Sequence, residues 1–159
     1  MRRKEREITH RGAIDEIIRR SSVCHLALAD GARPYVVPLS FGYDGTHLYF
    51  HSAPEGRKIE LLRRNDAVGF AFVPEGEQRV VRAPRPCRWG VSYRSVVGTG
   101  RARILEDREA KRRGLEALMA HYGAGPCTFG DREVDGVTVI RVEIEELTGK
   151  GTEGAPSGE

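Results

Sequence analysis

Short apolar runs joined by short Asp-Gly turns constrain this chain more than any other feature. Asp30-Gly31-Ala32 separates a strand-like run at 23–29 from another at 35–43, and Asp44-Gly45 separates the latter from 47–51. Asp-Gly pairs supply the positive φ of tight hairpin turns, so strands joined by them run antiparallel. Further strands are predicted at 68–73, 93–105 and 137–144, which makes six. They are not separated by the regular helices a parallel sheet needs, so the expected fold is mainly β with helices, a six-stranded antiparallel barrel. Pro38 lacks a backbone N–H and marks an edge or bulge in its strand, where backbone can face a ligand.

Three helices punctuate this pattern. The first has Thr9 as cap and Ile14, Ile17 and Ile18 at helical spacing. A second is predicted to open on the capping-box pattern Ser52-Ala53-Pro54-Glu55 and to carry Ile59, Leu61 and Leu62 to about Asn65. A third is capped by Asp107, presents Leu115, Leu118, Met119 and Tyr122, and stops at Gly123. The charges and prolines of 74–86 predict a loop, long enough to act as a lid or to touch a partner. The Gly, Pro, Ser and Glu of 148–159 predict a disordered C-terminal tail behind a single domain at 1–147.

Composition narrows the function classes. The 26 basic and 23 acidic residues are interleaved and leave a net charge of +3, which gives no arm for nucleic acid. Three cysteines without a CxxC spacing support neither a disulfide framework nor a zinc site, and fit a reducing cytoplasm. No apolar run approaches the roughly 18 residues of a membrane span, and no apolar core follows the charged N-terminus, so neither membrane insertion nor secretion is expected.

The candidate chemistry lies in two stretches. Around 50–58, a helix N-terminus would offer free N–H groups, the Ser52 hydroxyl, the Arg57 fork and the Lys58 charge to a phosphate. A capped surface helix with solvated basic residues explains the same local residues, and Glu55 would repel a phosphate unless it points away. His51 ends a strand just before that helix, where it could meet phosphate or substrate or move a proton, or simply be satisfied by a carbonyl. The remaining histidines form no metal-binding cluster, so no metal is expected. In the second stretch, alternation puts Tyr93 and Ser95 on one strand face and Arg94 on the other, while Gly98 and Gly100 would let another surface approach. Trp89 could stack on a flat ring or serve packing alone. Gly98-Thr99-Gly100 is no dinucleotide fingerprint, because a strand and not a helix follows it.

The order of these features resembles the FMN-binding split-barrel family that includes pyridoxamine 5'-phosphate oxidases, and more closely its branch related to 5-nitroimidazole resistance proteins. The match rests on Val36-Val37-Pro38-Leu39-Ser40-Phe41-Gly42-Tyr43, Leu48-Tyr49-Phe50-His51-Ser52-Ala53, Gly56-Arg57-Lys58, Cys87-Arg88-Trp89-Gly90, the run from Tyr93 to Gly100, and the run from Val142 to Lys150. The resemblance implies a homodimer of six-stranded split barrels with FMN in grooves between the subunits, acting on a small-molecule substrate. It implies that Val36, Val37, Pro38 and Leu39 line the isoalloxazine edge, that His51, Ser52, Arg57 and Lys58 hold the ribityl phosphate, and that Ser95 touches the flavin. It further implies that Trp89, Tyr93 and Arg94 contribute to cofactor binding near the dimer groove, and His51 is the candidate catalytic residue. The C-terminal strand lacks the Trp and Arg arrangement of true pyridoxamine phosphate oxidases, so the implied activity is reduction of a small acceptor such as a nitroaromatic. A storage or sensor protein holding flavin or haem, with His51 as axial ligand, is the alternative.

Overall fold

A computed structural model describes residues 3–152. The strands are β1 (Glu7–Ile8), β2 (Cys24–Asp30), β3 (Arg33–Leu39), β4 (Gly42–Tyr43), β5 (His47–Ser52), β6 (Ala67–Phe72), β7 (Arg79–Val81), β8 (Gly90–Ser92), β9 (Arg94–Leu105) and β10 (Thr138–Gly151), and the helices are α1 (Arg11–Arg19), α2 (Arg57–Arg64), α3 (Arg108–His121) and α4 (Asp131–Asp135). The main sheet runs β3-β2-β6-β9-β10-β5-β4, with β1 added to the far end of β10, and every pairing is antiparallel. The sheet curls into an open, split barrel. Its order exceeds the expected six strands because 35–43 divides into β3 and β4 and because β1 is recruited.

Alternation along the strands builds the core. Leu26, Leu48, Phe50, Phe70, Phe72, Val96, Ile140 and Val142 point inward and are almost wholly buried, each large side chain contributing about 1.5–3 kcal/mol by leaving water. Ile14, Ile17 and Ile18 of α1 and Ile59, Leu61 and Leu62 of α2 join the same core. Helix α3, N-capped by Asp107, which accepts from the Ala110 N–H at 2.8 Å, lies on the outer face of the sheet over Tyr49 and Val139. A smaller cluster of Leu115, Val134 and Val139 forms there.

Gly98 and Gly100 face the barrel interior and not an approaching partner. A Cβ on Gly98 would lie 2.5 Å from the Glu146 carbonyl oxygen and collide with the Phe70 ring, and one on Gly100 would collide with the Glu143 carbonyl oxygen. These glycines let β10 cross β9 closely, near a register shift between Ile144 and Glu146. The tail expected from 148 is corrected in the same region. Thr148, Gly149, Lys150 and Gly151 are strand, paired with Val97, Val96, Ser95 and Arg94, and Gly149 and Lys150 also pair with Ile8 and Glu7. The rest of that expected tail, 153–159, lies outside the described residues.

Candidate flavin site

Gly56 determines where α2 begins. Its φ of 120° is a backbone conformation that side-chain-bearing residues rarely adopt. The helix therefore starts at Arg57 and not at the capping-box pattern of Ser52 to Glu55, of which Ser52 ends β5 and Ala53, Pro54 and Glu55 are irregular chain. With Gly56 as N-cap, no side chain caps the first turn, so its N–H groups and the positive end of the helix dipole remain available to an anion.

The two cations at this end of α2 sit differently. Arg57 donates from Nη2 to Asp30 Oδ2 at 2.8 Å, and its guanidinium lies 4.9 Å from the centre of the Tyr35 ring. Arg64 also approaches Asp30, at 3.7 Å. Lys58 is half-buried, and burial pushes its pKa down; among the described residues no carboxylate lies within ion-pair distance to offset that cost. A partly desolvated ammonium without a counter-charge, beside an uncapped helix terminus, fits a phosphate group. Ser52 ends β5 close by, half-buried and opposite Thr138.

The edge strand β3 divides its predicted residues between two faces. It pairs only with β2, so half of its backbone polar groups face away from the sheet, as the missing N–H of Pro38 had indicated. Val36 and Pro38 point outward, Val36 being 58% exposed, while Val37 and Leu39 pack against the core. On the outer face the pairings align Val97, Ala71, His25 and Pro38 in one row and Thr99, Gly69, Ala27 and Val36 in the next. Of these, Ala27, Gly69 and Thr99 border a shallow groove of about 500 Å³, which Pro34, Ala67 and Glu145 also line; Val36, Pro38 and Val97 do not line it.

His51 and Ser52 leave β5 on opposite faces. His51 is exposed, opposes Val139 and shares its face with Tyr49, whereas Ser52 follows Phe50. The geometry thus separates the imidazole from the Ser52 hydroxyl that was expected to share its phosphate.

The loop at 74–86 is partly ordered as a ribbon. β7 and β8 form a hairpin of their own, with Val80, Val81, Trp89 and Val91 exposed. Trp89 donates from Nε1 to the Ala83 carbonyl at 2.8 Å, and Arg82 lies over its ring. Tyr93, half-buried, accepts at its carbonyl from the Thr152 N–H and donates its own N–H to the Thr152 hydroxyl. Ser95 points to the outer face, half-buried and opposite Lys150.

Arg94 does not face the groove. It is buried inside the barrel, where Nε and Nη2 grip Glu77 Oε2 and Oε1 at 2.7 and 2.5 Å, and Nη2 approaches Glu16 at 3.5 Å. Arg20 also reaches Glu77 at 2.8 Å. The hydrogen bonds from Arg94 are the main cause holding the Glu77 carboxyl below its ordinary range. Arg94 anchors the root of the ribbon and has no free fork for a cofactor. Its partner Glu77 lies in a loop without periodic pattern, so sequence reasoning had no signal for it.

The sequence profile of the pyridoxamine 5'-phosphate oxidase family matches residues 10–151. The chain belongs to that family. It is a flavin-binding family, and its open barrel accounts for the sheet order described above. A Bacteroides thetaiotaomicron protein named for 5-nitroimidazole antibiotic resistance is 34% identical to this pyridoxamine 5'-phosphate oxidase family member, the match covering 91% of this chain and 85% of that one with a TM-score of 0.81. An FAD-binding protein of Mesorhizobium loti is 25% identical over 93% of this chain and 98% of its own, with a TM-score of 0.68. The FAD and haem binding protein of Mycobacterium smegmatis shares the fold, with a TM-score of 0.83 and 21% identity over 97% and 77% of the two chains. Among the described residues no helix of this family member is long and apolar enough to cross a membrane.

Proposed function

We propose that this chain is a homodimeric, FMN-dependent oxidoreductase that reduces a small flat acceptor such as a nitroaromatic. The observation that carries the reading is the half-buried, unpaired Lys58 at the uncapped start of α2, next to Arg57. Lys58 supplies charge to the cofactor phosphate, Arg57 supplies a fork, and the first-turn N–H groups supply donors. The exposed backbone edge of β3 offers polar groups to the flavin ring. Bound flavin supplies the electron-transfer chemistry that no side chain of this chain has. His51, exposed and without a hydrogen-bond partner among the described residues, is the group available to hold a proton at a ring nitrogen for the acceptor. The 34% identity to the protein named for 5-nitroimidazole resistance supports the acceptor class.

The outer sheet face supports the dimer. Val36 and Val97 are each more than half exposed there, and large apolar side chains exposed on one sheet face are often covered by a partner. A haem reading would employ His51 as ligand and leave Lys58 without its counter-charge, so FMN accounts for more of the site. The absorption spectrum of the purified protein tests the reading. Paired near-ultraviolet and blue flavin bands that bleach on reduction and return on addition of a nitroaromatic are expected; a dominant Soret band would overturn it.

A further inference from the structure

A second group of cations lies on the outer face of the sheet, away from α2. The pairing of β5, β10 and β9 sets Tyr49, Arg141 and Arg103 side by side in one cross-strand row, and directly opposed residues of antiparallel strands present their side chains on the same face about 5 Å apart. Two like charges in that relation repel. Helix α3 adds a third: Gly114 sits so close that a Cβ there would be 2.9 Å from the Tyr49 ring, and its neighbour Arg113, like Arg141, acts electrostatically on the Tyr49 hydroxyl.

The neighbouring row shows what a balanced arrangement looks like. It holds His47, Glu143 and Arg101, and Arg101 is paired to Asp66 at 2.8 Å and to Glu145 at 3.2 Å. By contrast, Arg103, Arg113 and Arg141 make no ion pair or side-chain hydrogen bond among the described residues, and Arg141 Nε is buried with no partner at all. Asp44 and Glu109 are engaged elsewhere, and Glu143, on the same strand face as Arg141, and Glu116, three residues after Arg113, form no ion pair with the three arginines among the described residues. Asp44 accepts from Tyr49 Oη, from the Thr46 and His47 backbone N–H groups and from the Thr46 hydroxyl. Glu109 is taken by Arg112, and Glu143 belongs to the balanced row and is not within ion-pair distance of Arg141.

We infer that Arg103, Arg113 and Arg141 form a binding site for a phosphate group, separate from the cofactor phosphate at α2. Guanidinium forks recognise tetrahedral oxyanions by paired N–H bonds, and three positive charges suit a phosphate dianion better than a single carboxylate. The group is either free phosphate or the phosphate of a small organic molecule. His51 lies one row beyond Tyr49 on this face, so an organic phosphate held here reaches toward that histidine.

Calorimetric titration of the full chain with inorganic phosphate, in buffers matched in ionic strength with chloride, tests the site. Saturable binding is expected; Arg57→Ala/Lys58→Ala, which removes the cations proposed at α2, keeps one site per chain, and adding Arg103→Gln/Arg141→Gln to it weakens that site at least tenfold. Repeating the titration with phenyl phosphate identifies the source: tighter binding than inorganic phosphate points to an organic phosphate, weaker binding to the free ion. Thermal denaturation provides a control for folding. In chloride, Arg103→Gln is expected to melt no lower than wild type because a like-charge pair is relieved, whereas in the Arg57→Ala/Lys58→Ala background phosphate raises the melting point only while Arg103 and Arg141 are present. Absence of saturable binding, or binding lost in Arg57→Ala/Lys58→Ala and kept in Arg103→Gln/Arg141→Gln, would overturn the inference.

Discussion

Replacing Arg94 with methionine separates a structural role from a cofactor role at a position where the family resemblance had implied the latter. The substitution leaves Glu77, whose side chain is 3% exposed, without its bidentate partner. Breaking a buried pair from one side costs about 3–5 kcal/mol. Arg20 keeps its 2.8 Å contact to the same carboxylate from a more exposed position, so the lower end, about 3 kcal/mol, is expected. For a domain of this length that corresponds to a fall in Tm of roughly 6–12 °C, read by circular dichroism at pH 7. The double variant Arg94→Met/Glu77→Gln removes the stranded charge and should recover at least half of the loss. Acidity provides a second check. The folded-state pKa of Glu77 lies below its usual value of 4.5, so the pair's contribution is complete above about pH 4.5 and is lost as pH falls through the folded-state value. The gap between wild type and Arg94→Met should close over that acid range. A Tm change under about 2 °C, or a gap that persists at low pH, would refute the anchoring role. So would loss of flavin binding at temperatures where the variant is folded.

Three further outcomes are expected. Gly100→Ala should lower stability by about 1–3 kcal/mol, the usual cost of overpacking, because its Cβ has no room beside the Glu143 carbonyl; a denaturant midpoint equal to wild type would contradict the close crossing of β9 and β10. His51→Ala should keep FMN affinity within a few-fold while slowing acceptor reduction by the pre-reduced protein by roughly 100-fold, and an unchanged rate per bound flavin would remove His51 from the chemistry. Sedimentation should show a dimer at micromolar concentration, weakened by Val97→Glu on the outer face; a flavin-bound monomer would contradict the proposed assembly.

Local chemistry made much of this fold legible in the sequence. Gly31 and Gly45 adopt the positive φ values, 60° and 100°, that their Asp-Gly turns predicted, and Asp107 caps α3 as its position before an apolar stripe implied. The Ile14, Ile17 and Ile18 stripe is buried as its spacing required, though the cap falls on His10 and not Thr9. The misreadings share a cause, which is that tertiary neighbours decided them. Ser52 and Glu55 form a plausible capping box, yet the backbone angle of Gly56 starts the helix later. Gly149 looked like part of a disordered tail, but a Cβ there would lie 2.9 Å from Ile8 and 3.0 Å from Ile14, so the glycine is required by close packing across β1, α1 and β10. Arg94 finds Glu77 seventeen residues away in an irregular segment, and no periodicity announces such a pair. At the site, the basic pair after Gly56 was visible as a motif. That Lys58 lacks a carboxylate while Arg57 leans on Asp30 and Tyr35 was not, because those contacts bring α2 onto a hairpin far from it in sequence.

The most direct test of the cofactor assignment compares FMN with riboflavin, which differ only in the phosphate. Dissociation constants from flavin fluorescence quenching are measured for wild type and for Arg57→Ala/Lys58→Ala. Hydrogen bonds to charged groups contribute about 1.5–3 kcal/mol each, so loss of both cations should weaken FMN by about 100-fold or more and leave riboflavin within a few-fold of wild type. Equal losses for the two ligands, or no loss for FMN, would contradict a phosphate site at the start of α2 and with it the proposed flavin mononucleotide.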